Sequence, residues 1–520
     1  MLVTAHPPAG AGIAELVHAQ VRRHGSALAV VDDHTVLTYD RLWRRASALA
    51  GRLAEAGAGN QDRVGMAVAG SADVVVAFLG VILADCVPVP LDPSYPAARL
   101  SFIADDARTD IVVGSTRTLE DLPADLFGKT LIDLAELPDR MPDTHFLVRR
   151  DQRSSGRLSY LLYTSGSTGE PKGVMYREDS FVSLACWQVE DSILRGRGPR
   201  RTLQFAPASF DVSFQEVFST LLGGGTMVCP DPAVRSDPGL LSRVIMDQRV
   251  ERIFVPFIAL QLLAAFGERT ALANSVLREV VSAGEQLKCT DEIIALFDST
   301  GATLVNQYGP TETHAVLRHR MEGNCRDWPR LPPVGTPVRG VRLPLLVNNA
   351  PVPQGQEGEL TVVGDVVADG YLGRPDLTAQ RFAVAPDGAR SYRTGDLLRV
   401  DQDGLFHFVG RADDQVKIRG VRIEPAEIEA VLGNSRAVSS VAVTAVGDTA
   451  MDRVLVAVLV LAPGTTADIR ELRSFLLKQV PKHLVPRDFI TVDELPRLPS
   501  GKIDRGAVRA LATDATRHQR

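Results

Sequence analysis

Residues 158–174 read LSYLLYTSGSTGEPKGV. A short apolar run of strand character leads straight into Thr164, Ser165, Ser167, Thr168 and Lys172, with Gly166, Gly169 and Gly173 between them. A turn needs one or two glycines, so three in ten residues ask for another reason. A glycine-rich loop after a strand aims several backbone N–H groups at one anion; hydroxyls add donors and a lysine adds charge. The spacing therefore predicts a phosphate-binding loop. It is not a Walker A loop, because no G-K-[ST] follows four residues after a glycine, and it is not a dinucleotide fingerprint.

The elements that must hold such a loop are legible around it. At 520 residues the chain is too long for one core and predicts two to four folding units. Across 1–410, helical spacing alternates with short β-branched runs: helices over 12–25, 41–57 and 72–86, strands over 28–33 and 62–70. That alternation predicts α/β subdomains built on parallel sheets with flanking helices. Beyond 340 the texture becomes β-rich, at 358–373 and 404–410, followed by a charged turn at 410–420. A small α+β unit closes the chain, with strands at 438–446 and 453–461. Its helix at 466–480 is expected to be capped by Thr466, with Ile469, Leu472, Leu476 and Val480 on one face. The expected organisation is a large N-terminal domain, 1–412, and a small mobile C-terminal α+β domain, 413–520.

Bulk composition excludes several function classes. The chain is 45% hydrophobic and 23% charged with a net charge of −6, and it has no lysine/arginine block, which argues against nucleic acid. Cys86, Cys186, Cys229, Cys289 and Cys325 are isolated and odd in number. They predict neither a zinc site nor a disulfide framework, and they suit a reducing cytoplasm. The N-terminus lacks the features of a signal peptide, and the longest apolar runs, near 74–84 and 454–462, are too short to span a bilayer.

The loop has company. LTYDRL (37–42), PVPLDPSYPAARL (88–100), FDVSFQE (210–216), NQYGPTET (306–313), GELTVVGDVVADGY (358–371), YRTGDL (392–397), GRADDQVKIRGVRIEPAEIE (410–429) and LPSGKIDR (498–505) flank it in order. Together with YTSGSTGEPKGV (163–174), this set resembles the ANL superfamily of adenylate-forming enzymes over nearly the whole chain. Within it, the set is similar to the adenylation domains of nonribosomal peptide synthetases.

The resemblance implies an ATP site. Thr164 to Gly169 and Lys172 would hold the β- and γ-phosphates. Tyr308 would stack on adenine, which needs only a π-face. Asn306 would read the adenine amino edge, with Gly284 letting the ring approach and Glu285 and Gly309 beside it. Thr311 and Glu312 would contact phosphate and Mg²⁺, a carboxylate beside substrate phosphates being the usual magnesium arrangement. Asp396 would accept from the ribose hydroxyls, near Arg411. Lys502 would meet the charge that builds on the α-phosphoryl oxygens, and its loss would cost about 2.7–4 kcal/mol. Asp413 matches the hinge about which the small domain turns, removing Lys502 and bringing 415–420 to the site. Gly420 would then lie beside a phosphopantetheine arm supplied by a carrier protein.

The resemblance also implies a substrate pocket. Asp211 matches the aspartate that holds an amino group, and a buried acid needs a cationic partner. Val212, Gln215, Ile258, Val281, Ala283, Gln307, Ala315 and Val316 match the remaining pocket positions. None is charged, which predicts an uncharged side chain of small to medium size. The set is similar to that of proline-activating domains, departing where Gln307 replaces a histidine and Ala315 a valine. The expected reaction is ATP-dependent activation of L-proline or a substituted proline, then transfer to a separate carrier protein in natural-product biosynthesis. No carrier or condensation motif occurs in the sequence, so a free-standing enzyme is expected; a small accessory protein is a further partner the reading leaves open. The alternatives are a β-amino acid or small aliphatic amino acid as substrate, acyl-CoA synthesis on free CoA, and a non-catalytic scaffold.

Overall fold

The computed structural model describes residues 11–138, 156–166, 169–196, 200–413, 415–447, 452–463, 465, 468–497 and 503–518. Among these, a nine-stranded sheet forms the largest layer. Its central strands, Leu28–Asp32, Thr226–Cys229, Arg201–Leu203, Arg252–Val255, Glu279–Ser282 and Thr303–Tyr308, run parallel. Thr226–Cys229, Arg252–Val255 and Glu279–Ser282 are buried at every position, as expected for parallel strands covered on both faces. Antiparallel strands cap both edges. A second, four-stranded parallel sheet comprises Val87–Pro90, Arg63–Ala67, Ile111–Gly114 and Thr130–Asp133.

Helix Tyr39–Glu55 shows why the covering elements form. The Thr38 hydroxyl accepts from the Arg41 N–H at its start, and Leu42, Trp43, Ala46, Leu49, Ala50 and Leu53 face the core at helical spacing. It packs on helix Ala72–Leu83, which is apolar on nearly every side and buried throughout except at Asp73.

The expected β-rich region is an antiparallel sheet around Glu357–Val363 and Arg390–Val400, with Phe406–Arg411 paired to the latter. Residues 416–512 then supply two apolar clusters of their own, built on strands Val438–Val446, Val454–Leu461 and Asp488–Thr491. One expectation changes here. Helix Ile469–Leu477 is capped by Asp468, whose carboxylate accepts from the Arg470 N–H, and Thr466 lies outside the described residues. Leu472, Leu476 and Val480 are buried, but Ile469, the first helical residue, is 42% exposed. Among the described residues no helix is long and apolar enough to cross a membrane.

Candidate active site

Strands Leu158–Thr164 and Lys172–Arg177 form an antiparallel hairpin, with Thr164 opposite Lys172, and the glycine-rich loop is its tip. A Cβ at Gly166 would fall 1.8 Å from the Glu170 carbonyl oxygen, and Gly169 has φ +91°, so both positions require glycine. Among the described residues the buried Thr164 hydroxyl has no hydrogen-bond partner. Ser167 and Thr168 lie outside the described residues. Lys172 is 5% exposed; its Nζ donates to the Tyr371 hydroxyl at 3.1 Å and lies 3.6 Å from Glu312 Oε1. Burial lowers Lys172 to about 8, with the Glu312 charge opposing that shift.

Glu312 is fully buried and still ionised. Burial pushes its carboxyl up, but the Arg422 and Lys172 charges and the Tyr371 hydroxyl, which donates at 2.7 Å, hold it at about 2. Arg422 Nη1 lies 2.8 Å from Glu312 Oε2.

A cavity of about 480 Å³ opens at the carboxyl ends of strands Glu279–Ser282 and Thr303–Tyr308, bordered by Gly284, Glu285, Tyr308, Gly309, Arg411 and Lys417. Its size is that of a small-molecule site, and the ends of parallel strands are where open α/β sheets bind ligands. The Tyr308 hydroxyl donates to Asp396, which also pairs with Arg411. Asn306 is buried beside it, and its Nδ2 donates to the Pro333 carbonyl at 2.9 Å. Gly309 begins a tight turn in which a Cβ would meet the His314 carbonyl oxygen at 1.6 Å. The Glu285 carboxylate accepts from the N–H groups of Ile258 and Gly420.

Asp211 is the first residue of helix Asp211–Leu222. Its carboxylate accepts from the Val212 N–H at 2.8 Å and from the Thr311 hydroxyl. Burial pushes it up to about 6, and no cation among the described residues forms an ion pair with it. One turn on, Gln215 joins a buried carboxamide triad. Gln215 Nε2 donates to Gln188 Oε1 at 2.6 Å and to Gln307 Oε1 at 3.0 Å, and Gln307 Nε2 donates to Gln188 Oε1 at 2.7 Å. Val212 packs on Phe254, Val281 and Val305, an apolar wall beside the triad. Ile258 is nearly buried at the start of helix Phe257–Phe266, Ala283 is half-buried just past its strand, and Ala315 packs in the cluster that holds Phe214. Val316 is fully buried in the core of the β-rich region, together with Tyr308.

The tip of the hairpin Val416–Ile418/Val421–Ile423 reaches this site from the C-terminal region. Gly420, at φ +79°, borders a cavity of about 110 Å³ with Thr164, Asp211, Gly284 and Thr311, and Tyr95, His483 and Leu484 lie along the same cavity. Asp413 accepts from Arg411 Nε at 2.7 Å and from Arg381 at 3.1 Å. Lys502 lies outside the described residues.

The profile of the AMP-binding enzyme family matches residues 17–372, and that of the AMP-binding enzyme C-terminal domain matches 427–502. The chain belongs to this family. It is an enzyme, an adenylate-forming ligase, and its relatives include nonribosomal peptide synthetases. It is 34% identical over 504 residues to gramicidin S synthase 2 of Brevibacillus brevis, covering 96% of this chain and 11% of that protein. It is 36% identical over 517 residues to novobiocin biosynthesis protein H of Streptomyces niveus, covering 96% and 83%. Several of these synthetases are far longer than this chain, which spans 6 to 14% of their length. Among solved structures, the amide bond synthetase McbA of Marinactinospora thermotolerans superposes with a TM-score of 0.83 at 26% identity, over 97% of this chain and all of that one.

In this adenylate-forming enzyme the structure brings together most residues named from its motifs, and adds others. Tyr371 and Arg422 pair with Glu312, Lys417 lies over the Tyr308 ring, and Gln188 completes the carboxamide triad. Gln188 left one trace in the sequence: Phe181, Leu184, Ala185 and Gln188 share one buried face of helix Glu178–Asp191, so a glutamine stands at an apolar position. Arg422 left none, because its partner is 110 residues away.

Proposed function

We propose that this enzyme activates an amino acid as its aminoacyl adenylate and passes it to the phosphopantetheine thiol of a separate carrier protein. One observation carries the reading: Asp211 is a half-buried carboxylate, raised by desolvation and without an ion-pair partner among the described residues, beside Thr311 and the glycine-rich loop. A partly desolvated acid of this kind calls for a cation, and the α-ammonium of an amino acid would supply it. An acid lacking an amino group would leave that need unmet.

In the first half-reaction an amino-acid carboxylate oxygen attacks the α-phosphorus of ATP, the bond to the β-phosphate oxygen breaks, and pyrophosphate leaves. Asp211 orients the amino group so that the carboxylate points at phosphorus. The phosphate loop and Lys172 hold the β- and γ-phosphates. Thr311 and Lys502 meet the charge that develops at the α-phosphoryl group. Tyr308, Asn306, Gly284, Glu285 and Gly309 frame adenine, and Asp396 with Arg411 holds the ribose. Glu312 is the residue that would hold Mg²⁺; one carboxylate with substrate phosphates suits that ion, which would spread the phosphate charge. In the second half-reaction the thiol loses its proton and its sulfur attacks the adenylate carbonyl, AMP leaves, and a thioester remains. The arm would enter through the cavity beside Gly420, once the C-terminal domain has turned about Asp413.

For the side chain, Val212, Ile258, Val281, Ala283 and Ala315 would give an apolar, uncharged surround that Gln215 and Gln307 close, whereas Val316 packs into the β-rich core. L-proline or a substituted proline fits this set best. Amino-acid-dependent ATP–pyrophosphate exchange across prolines, aliphatic amino acids, β-amino acids and aryl acids tests the reading. Exchange with a proline, lost in Asp211→Ala, supports it; exchange confined to acids without an amino group overturns it.

A further inference from the structure

The three carboxamides beyond Asp211 have more hydrogen-bonding capacity than they use on one another. Gln188, Gln215 and Gln307 are 1%, 3% and 2% exposed. They come from helix Glu178–Asp191, helix Asp211–Leu222 and strand Thr303–Tyr308. Gln215 Nε2 donates both its hydrogens within the triad, to Gln188 Oε1 and Gln307 Oε1, and Gln307 Nε2 donates to Gln188 Oε1 as well. Gln188 Oε1 is thereby saturated. Gln188 Nε2 and Gln215 Oε1 bond no group among the described residues. Turning all three amides over exchanges every donor and acceptor together, and leaves the Gln188 carbonyl and the Gln215 amide free instead. In either orientation one amide N–H group and one carbonyl remain free. The surroundings are apolar: Val189, Phe214 and Val217 are core residues, and Val212 packs on Phe254, Val281 and Val305. Apolar side chains would fill this place with no such demand, whereas buried polar groups call for partners.

We infer that the triad determines specificity for a hydroxyl group on the amino acid's side chain, with Gln188 as a further specificity-determining residue. The hydroxyl donates to the free carbonyl, and its oxygen accepts from the free amide. This rests on the activation reading above and narrows it: the substrate is a hydroxylated amino acid, a hydroxyproline first among the substituted prolines. Asp211 and Gln215 lie one turn apart on the same helix, about 5–6 Å between their Cβ atoms. An ammonium resting on Asp211 therefore brings a short side chain to the triad. A hydroxyl is the smallest group that donates and accepts through one atom, so it asks least room of the apolar wall. A methyl group in its place leaves a donor and an acceptor unpaired.

The test is ATP–pyrophosphate exchange by the full chain with matched amino acids that differ at one group. The cis- and trans-4-hydroxy-L-prolines are set against the 4-methyl-L-prolines and L-proline, and L-threonine against L-valine. At least one hydroxylated acid is expected to exceed its methyl partner in kcat/KM by about 5- to 150-fold, the range for leaving buried hydrogen-bonding groups unpaired. In Gln188→Met, of similar length but without the amide, that ratio is expected to fall toward one. A general structural loss lowers both members of a pair alike and leaves the ratio where it was. The wild-type ratio decides the matter even if the variant fails to fold. Methyl partners or L-proline used as well as the hydroxylated acids overturn the inference and leave amino-acid activation standing. So does a preference for L-asparagine or L-glutamine, or a ratio that survives in Gln188→Met. Exchange with no amino acid overturns the activation reading itself, and the hydroxyl assignment falls with it.

Discussion

An amino acid reaching Asp211 arrives as an ammonium ion, so its binding must follow the ionisation of that carboxylate. Burial raises the Asp211 carboxyl from 3.8 to about 6 in the free enzyme. Above pH 6 the group is charged and binds the ammonium; below it the group is protonated, and each further pH unit removes about tenfold of the competent form, or about 1.36 kcal/mol. The KM for the amino acid should be flat between pH 7 and 8 and about tenfold higher at pH 5. The kcat should change far less, because a bound ammonium keeps the carboxylate ionised. Asp211→Asn should raise KM at every pH by about 10- to 150-fold, the equivalent of about 1.5–3 kcal/mol for a hydrogen bond to a charged group. It should also abolish the pH dependence. Initial rates of exchange against amino-acid concentration at pH 5, 6, 7 and 8, with ATP saturating, read all of this. A wild-type KM that stays flat, or a rise at low pH that survives in the Asn variant, would refute the assignment of Asp211 as the ammonium site.

Gly420→Ala places a Cβ 2.7 Å from the Pro256 Cβ, at a φ of +79°. Overpacking of about 1–3 kcal/mol predicts thioester formation slowed by about 5- to 150-fold, and more than exchange, as a paired assay of the two steps would read. Lys502→Ala should cut exchange by about 10²–10³, yet leave thioester formation from a supplied aminoacyl adenylate. Gln188→Leu removes the acceptor shared by Gln215 and Gln307. It should destabilise the fold by about 1–3 kcal/mol, seen as a lower Tm, and reorder the amino acids ranked by exchange at unchanged KM for ATP.

What the sequence reveals follows the range of the interaction. Helix Tyr39–Glu55 and strands Leu28–Asp32 and Arg63–Ala67 are written locally, in apolar spacing, and they form close to where they were expected. The hairpin tip is legible because Gly166 and Gly169 are forced by backbone geometry at the loop itself. The cap of helix Ile469–Leu477 is not, because Thr466 and Asp468 are both good capping residues two positions apart, and only the observed start of the helix decides between them. That start also puts Ile469 at the solvent edge. Arg422 and Gln188 belong to another category: each acts through a partner more than twenty residues away, and no local pattern encodes a meeting between distant segments.

Strand Thr303–Tyr308 also bears on how such an enzyme changes its substrate. Side chains alternate along a strand. Asn306 turns to Pro333 and Tyr308 to Asp396, while Gln307 between them turns to Gln188 and Gln215. On the proposed function, the constant task, gripping ATP, and the variable one, choosing a side chain, would thus be interleaved on six residues without sharing a face. A point mutation at 307 would then retune selectivity and leave the contacts of Asn306 and Tyr308 intact. A one-residue insertion just before it would exchange the two faces and forfeit both tasks together. Diversification along this strand is therefore open to substitution and closed to changes of length.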